Sequence, residues 1–171
     1  MGYTTEFEGK IAITPALSAA EVAFLKAFSD TRHMEHKLGP YHVGDIRERD
    51  ITSYNATGEG KPGLWCQWIP TEDGQYLEWD GNEKFYDSVE WMQYLIDHFL
   101  APNAHAAGIV PGIVGGHILN GILHAQGEEP DDTWYLVVVN NKAEHHLNTP
   151  SAHTMIEISA ASRKNDTPKN P

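Results

Sequence analysis

Residues 64–100 have the sequence LWCQWIPTEDGQYLEWDGNEKFYDSVEWMQYLIDHFL and carry the strongest structural signals of the chain. Apolar and polar residues alternate on both sides of an Asp73-Gly74 turn, which predicts a β-hairpin. Further on, apolar residues recur at alternating spacings of four and three, which predicts an amphipathic helix. Asp80 is suited to cap this helix, with Glu83 three residues later.

The same kind of pattern continues on both sides of this stretch. Residues 3–13 alternate as a strand with an irregularity at Gly9, and a helix follows in which Ser18 and Glu21 form a capping box. Later strands are predicted over 117–126 and 134–140, and MIEI at 155–158 is compatible with one more. The order β-α-β-β-α-β-β predicts an α+β fold with two helices on one face of an antiparallel sheet. Its first six elements match the order of the ferredoxin-like fold.

The length of 171 residues favours a single domain. We expect this domain to span residues 1–158, with long loops at 34–63 and 101–117, where glycine and proline are frequent. Residues 159–171 are polar, and we expect a mobile tail there.

The composition limits the possible functions and locations. The chain has 12 Lys+Arg against 24 Asp+Glu and a formal net charge of −12, which argues against direct binding to nucleic acid or to an anionic membrane. No apolar run approaches the about 20 residues of a membrane helix, and the first residues do not have the pattern of a signal peptide. We therefore expect a cytoplasmic protein. Cys66 is the single cysteine, which excludes an internal disulfide.

Three carboxylates form a candidate metal site. Glu78 and Asp80 end the predicted strand, and Glu83 lies one turn into the predicted helix. Oxygen ligands converging there are suited to Mg²⁺ or Mn²⁺, or to acid and base catalysis. The alternative is that Asp80 and Glu83 only cap the helix.

A candidate binding surface lies on the same helix. Trp91 and Tyr94 fall outside its main apolar stripe, and Asp87 and Glu90 lie on its polar side. An aromatic pair beside carboxylates is typical of a contact surface for a partner. The alternative is burial of the two aromatic side chains beneath residues 34–63.

Other chemical motifs are weaker. The histidines lack the spacing of a zinc motif, although His33 and His36 share one face if the first helix extends that far. The string GEGKPG at 58–63 is similar to a phosphate-binding loop, but Pro62 stands where Ser or Thr would bind Mg²⁺. Cys66 lies in an apolar strand, where we expect an inert buried thiol. The sequence therefore predicts no cofactor, with a divalent cation as the alternative.

The chain resembles a group of small uncharacterised proteins of bacteria and their phages. The resemblance is carried by Trp-Cys-Gln-Trp at 65–68, Glu-Trp-Asp-Gly at 78–81 and Leu-Asn-Gly at 119–121. It covers residues 64–132 and implies a shared fold but no activity. Residues 104–116 and the histidine-containing end of the chain depart from the pattern.

Three functional hypotheses remain open on the sequence alone. The first is a small acidic binding or interaction protein, phage-encoded if the resemblance holds, with a protein or a small molecule as its partner. The second is a metal-assisted hydrolase that uses a carboxylate or histidine cluster. The third is a structural protein that self-assembles through residues 104–116, because that segment is apolar for a surface loop.

Overall fold

A computed structural model describes residues 2–165, which form eight strands and three α-helices. The strands are β1 (Glu6–Thr14), β2 (Met34–His36), β3 (Ile51–Thr57), β4 (Trp68–Pro70), β5 (Tyr76–Trp79), β6 (Ile118–Gln126), β7 (Thr133–Val139) and β8 (Lys142–His146). The helices are α1 (Ala19–Ser29), α2 (Ser88–Leu95) and α3 (Ala152–Asn165).

Six of the strands form an antiparallel sheet in the order β4-β5-β1-β6-β7-β8. The α+β class and the antiparallel sheet are thus confirmed. At the centre of the sheet, Ile11 of β1 lies opposite Leu77 on one side and Gly121 on the other. A Cβ on Gly121 would lie 2.9 Å from the Lys10 carbonyl oxygen, so only glycine fits between these strands.

The remaining strands and the third helix were not expected. In the sequence between α1 and β4, the strands β2 and β3 form a small separate antiparallel sheet. At the other end of the chain, β8 and α3 follow β7. These additional elements change the predicted order along the chain. The ferredoxin-like arrangement is therefore not confirmed and stays a prediction.

Helix α1 begins as its sequence predicts. The Ser18 hydroxyl accepts a hydrogen bond from the Glu21 amide, and the Glu21 carboxylate accepts one from the Ser18 amide. This reciprocal cap satisfies two backbone groups that a helix start otherwise leaves unpaired. Both α1 and α2 contribute apolar side chains to one core over the sheet.

Helix α2 begins later than predicted. Its first residue is Ser88, so the prediction that Asp80 caps the helix is wrong. Gly81, Lys84 and Asp87 all have positive φ, and helix cannot propagate through residues in that conformation. The helix continues at its other end as a π-helical turn, Ile96–Leu100, which is a geometry frequent at functional sites.

The segment 34–63 is not the loop that its composition suggested. It contains β2, a 3₁₀ turn at Glu48–Asp50, and β3. Residues 64–67 lie outside the strands, since β4 begins only at Trp68.

The end of the chain also differs from the prediction. Residues 155–158 are part of helix α3, which packs against β6 and β7, so the prediction of a strand there is wrong. Of the predicted polar tail, residues 159–165 continue α3, and 166–171 lie outside the described residues. Within the described part of the chain, no helix is both long and apolar enough to cross a bilayer.

Candidate functional site

The three carboxylates of the predicted metal site are engaged separately. Glu78 pairs with Lys10 at 3.5 Å, the Asp80 carboxylate accepts a hydrogen bond from the Asn82 amide, and Glu83 is exposed. Because α2 begins at Ser88, the strand-to-helix junction that was to bring them together does not exist. Residues 2–165 contain no group of three or more His, Cys, Asp or Glu side chains placed to hold a metal ion.

The predicted aromatic binding surface is buried. Trp91 is 0% exposed and Tyr94 is 6% exposed, whereas Asp87 and Glu90 are exposed. The expectation of exposed aromatic anchors is therefore wrong. The physical reason is the alternative already considered, because residues 34–63 cover this side of α2.

A cleft is formed by β2, β3 and residues 39–40 and 58–61, and we call it the lysine cleft. Its volume is about 700 Å³, and it is lined by His33, Met34, Glu35, His36, Gly39, Pro40, Thr52, Thr57, Gly58, Glu59 and Lys61. Polar and apolar side chains both line it, which is typical of a site for a small molecule.

Backbone hydrogen bonds at His33 fix the loop that carries Lys61. The His33 carbonyl oxygen accepts a hydrogen bond from the Gly58 amide, and the His33 amide donates to the Leu64 carbonyl oxygen. Between these anchors, the Lys61 amide closes a turn on the Gly58 carbonyl oxygen. The position of Lys61 is thus set by backbone hydrogen bonds of His33, which directly precedes β2, and not by a charged partner.

Lys61 is the central polar group of the cleft. Its Nζ donates a hydrogen bond to the Pro40 carbonyl oxygen and lies 5.5 Å from the centroid of the Tyr94 ring. Among the residues that the structure describes, no carboxylate forms an ion pair with it. Burial lowers the pKa of Lys61 to about 8, because the cation loses hydration that one carbonyl and one ring face replace only in part.

Two histidines of the cleft favour their neutral forms. His33 is 3% exposed and donates from Nε2 to the Phe28 carbonyl oxygen at 2.9 Å, and burial lowers its pKa to about 4. The pKa of His36 is also lowered, first by burial and then by the nearby His42 and Lys61. The His36 Nδ1 accepts the Leu38 amide, which places the proton of the neutral ring on Nε2.

Beside the cleft, Tyr94 of α2 contacts Lys61, and His98 of the π-helical turn contacts Tyr41 of the 34–63 segment. The ring of His98 stacks on Tyr94 at 3.9 Å, and the Nδ1 of His98 shares a hydrogen bond of 2.7 Å with the Tyr41 hydroxyl. Burial, with His105 close by, lowers the pKa of His98 to about 4. The π-helical turn thus ties the 34–63 segment to α2 and holds Tyr94 beneath Lys61.

One buried hydrogen-bond donor next to Tyr94 has no partner within residues 2–165. The Nε1 of Trp91 is buried and makes no hydrogen bond there, and a Cβ on Gly63 would lie 3.3 Å from it. Most buried donors in native proteins are satisfied, so this nitrogen marks a locally costly arrangement.

Sequence reasoning missed Lys61 and recognised only fragments of its surroundings. The string around Lys61 departs from the pattern of a phosphate-binding loop, and the spacing of His33 and His36 predicts a shared face only on a longer first helix. No local spacing connects Lys61 with Tyr94, which is far away in the sequence. For Cys66, the predicted burial is confirmed, and burial raises the pKa of the thiol to about 12, but the residue lies before β4 and not in a strand.

Comparisons of the chain with protein-family models, with curated proteins and with solved structures found no match. The resemblance to the bacterial and phage group therefore stays a prediction.

Proposed function

We propose that this protein is a binding protein whose lysine cleft holds a small molecule with a carboxylate or phosphate group. The observation that carries the proposal is the Lys61 amine, which is half buried in a cleft and has no carboxylate partner within residues 2–165. Buried cations are normally paired, and an anionic group of a ligand would supply the missing charge.

The wider setting rests on the sequence alone. A cytoplasmic location in a bacterial or phage-infected cell is inferred from the sequence pattern. The resemblance to small proteins of bacteria and their phages has the same basis. The alternative of a metal-assisted hydrolase has less support, because Glu78 and Asp80 have separate partners and Glu83 is exposed.

Replacing Lys61 by methionine is expected to weaken the binding of small anions at least about tenfold, equal to 1.4 kcal/mol, because the ligand loses its charged partner. Isothermal titration with inorganic phosphate, phosphoenolpyruvate and glycolate at pH 7 measures this. Lys142→Met is the matched control, because its side chain is 76% exposed. Equal affinities for the Lys61→Met and wild-type proteins contradict the proposal.

The affinity should also depend on pH in a defined direction. Burial lowers the pKa of Lys61 to about 8, so the free cleft loses its positive charge as the pH rises through that value. A bound anion stabilises the charged form and moves the transition upward. We therefore expect phosphate esters to bind best below pH 8 and progressively more weakly above it. Affinity that rises between pH 7 and pH 10 contradicts anion binding by Lys61.

Self-association through residues 104–116 is a second proposal with its own observation. Ile109 is 69% exposed and Val114 is 72% exposed, although Ala104, Ala106 and Ile113 of the same segment are buried. Two large apolar side chains on one surface segment favour contact with a second copy of the chain.

If the segment is an interface, light scattering should give the wild type the mass of a dimer. The Ile109→Asp, Val114→Asp double variant should give that of a monomer, because two buried charges destabilise an apolar contact. Leu147→Asp is the control, since Leu147 is 74% exposed and lies outside the segment. A monomeric wild type at high protein concentration excludes this proposal.

A further inference from the structure

We propose that Lys61 captures a carbonyl group: its Nζ forms an imine with the aldehyde or ketone of a small acid held in the lysine cleft. The inference rests on the proposed function, because it uses the same cleft and the same class of ligand. It adds a covalent step and restricts the ligand to acids that carry a carbonyl group.

The surroundings of Nζ are those of a nucleophilic amine. An amine attacks a carbonyl only in its uncharged form, and a carboxylate partner would hold it as the ammonium ion. The described residues give Lys61 no such partner, and its contacts are the Pro40 carbonyl oxygen and the face of the Tyr94 ring. Burial lowers the pKa of Lys61 to about 8, so both forms are present near neutral pH.

The cleft also contains a hydrogen-bond donor for the carbonyl oxygen of the ligand. His36 lines it, and its Nδ1 accepts the Leu38 amide, so the neutral ring presents its proton on Nε2. The pKa of His36 is lowered, mainly by burial, which keeps the ring neutral at pH 7. A neutral imidazole N–H can donate a hydrogen bond to the carbonyl oxygen of the ligand and make the carbonyl carbon more electrophilic.

The reaction is balanced without an oxidant or a reductant. The uncharged Lys61 Nζ adds to the carbonyl carbon, and the carbonyl oxygen becomes a hydroxyl as the proton on nitrogen passes to it. This hydroxyl takes a second proton from the solvent and leaves as water, while the nitrogen lone pair forms the carbon–nitrogen double bond. The product is an iminium ion, whose positive charge lies next to the carboxylate of the same ligand.

A trapping experiment with glyoxylate tests the inference. The full-length protein is incubated with glyoxylate and cyanoborohydride at pH 7.5, and peptide mapping by mass spectrometry follows carboxymethylation at each lysine. We expect Lys61 to be modified roughly tenfold faster than Lys142, since a lower pKa gives more uncharged amine at this pH. Prior addition of glycolate, which has no carbonyl group, should slow modification at Lys61 but not at Lys142.

Variants separate this inference from the proposed function. Lys61→Arg keeps the positive charge but cannot form the imine, so it should retain glycolate binding and accumulate no adduct at position 61. Lys142→Arg should leave trapping at Lys61 unchanged. If Lys61 reacts no faster than Lys142 while glycolate still binds, the imine is excluded and the binding function stands. If glycolate does not bind and Lys61 shows no preference, both proposals are contradicted.

Discussion

Replacing His117 by alanine is expected to lower the free energy of unfolding by about 3 to 5 kcal/mol, because the change leaves a buried carboxylate without its partner. The Nε2 of His117 lies 2.9 Å from Oε2 of Glu21, and its Nδ1 lies 2.7 Å from the Pro15 carbonyl oxygen. The two side chains are 4% and 2% exposed. This pair connects the residue that precedes β6 with the first turn of α1.

The cost is large because the Glu21 carboxylate already has a second role. Its other oxygen accepts the Ser18 amide in the capping box, so the carboxylate cannot turn away to find water. Removing the ring leaves a buried carboxylate oxygen without a donor. Since small domains are stable by only about 5 to 15 kcal/mol, the variant should retain little stability.

Urea denaturation followed by tryptophan fluorescence measures this effect. Glu21→Gln is a milder variant that keeps the size of the side chain and a hydrogen-bonding group, and we expect it to lose about 1 to 2 kcal/mol. His153→Ala is the matched control, because its side chain is 83% exposed and its pair with Glu157 is on the surface, so the loss should be under about 0.5 kcal/mol. A His117→Ala loss no larger than that of the control contradicts the role of the pair.

Lowering the pH from 7 to 5 is expected to destabilise the protein by about 2 kcal/mol through His33 alone. Burial lowers the pKa of His33 to about 4 in the folded protein, whereas an unfolded histidine has a pKa of about 6.5. The unfolded state therefore binds the proton more tightly. The stability contributed by neutral His33 is complete above pH 6.5 and is lost as the pH falls from 6.5 towards 4.

The structural cause is the position of the ring between two aromatic side chains. His33 lies 4.2 Å from the Phe28 ring and 5.3 Å from the Trp91 ring, and a charge there would lose its hydration. Lys61 adds repulsion. The half-buried His98, whose pKa is also lowered to about 4, should add a smaller contribution of the same sign.

Denaturation at pH 7 and pH 5 tests this prediction when the wild type is compared with His33→Gln. Glutamine can donate to the Phe28 carbonyl oxygen but does not titrate. We expect the variant to be less stable at pH 7 and to lose less stability on acidification. The same loss in both proteins would show that His33 is not the group responsible.

The elements that the sequence predicts correctly depend on residues close together in the chain. The cap of α1 requires only Ser18 and Glu21, and the hairpin between β4 and β5 turns at Asp73-Gly74. Strands β6 and β7 follow from alternation and from an apolar run. These signals are local, and the structure confirms them.

The errors have a common cause, which is contact between distant segments. Apolar spacing in α2 places Trp91 outside the main stripe, but a helix covered on two sides has no exposed face for such a residue. The cover comes from residues 34–63, whose β2 and β3 pair across a gap that composition alone identifies as a loop. The lysine cleft contains His33 and Lys61, and the Lys61 amine lies over the ring of Tyr94. These residues come from three separate segments, so no spacing in the sequence could reveal their arrangement.

The fold holds Lys61 half buried in the lysine cleft, without a carboxylate partner within residues 2–165 and with its Nζ over the Tyr94 ring. An NMR titration of the lysine side chains in the wild type, with Lys61→Arg to assign the signal, measures this directly. We predict that Lys61 titrates near pH 8, in agreement with the lowering of its pKa by burial to about 8. A midpoint at the ordinary lysine value of about 10.4 would contradict the account, because it would place the amine in open solvent or beside a carboxylate.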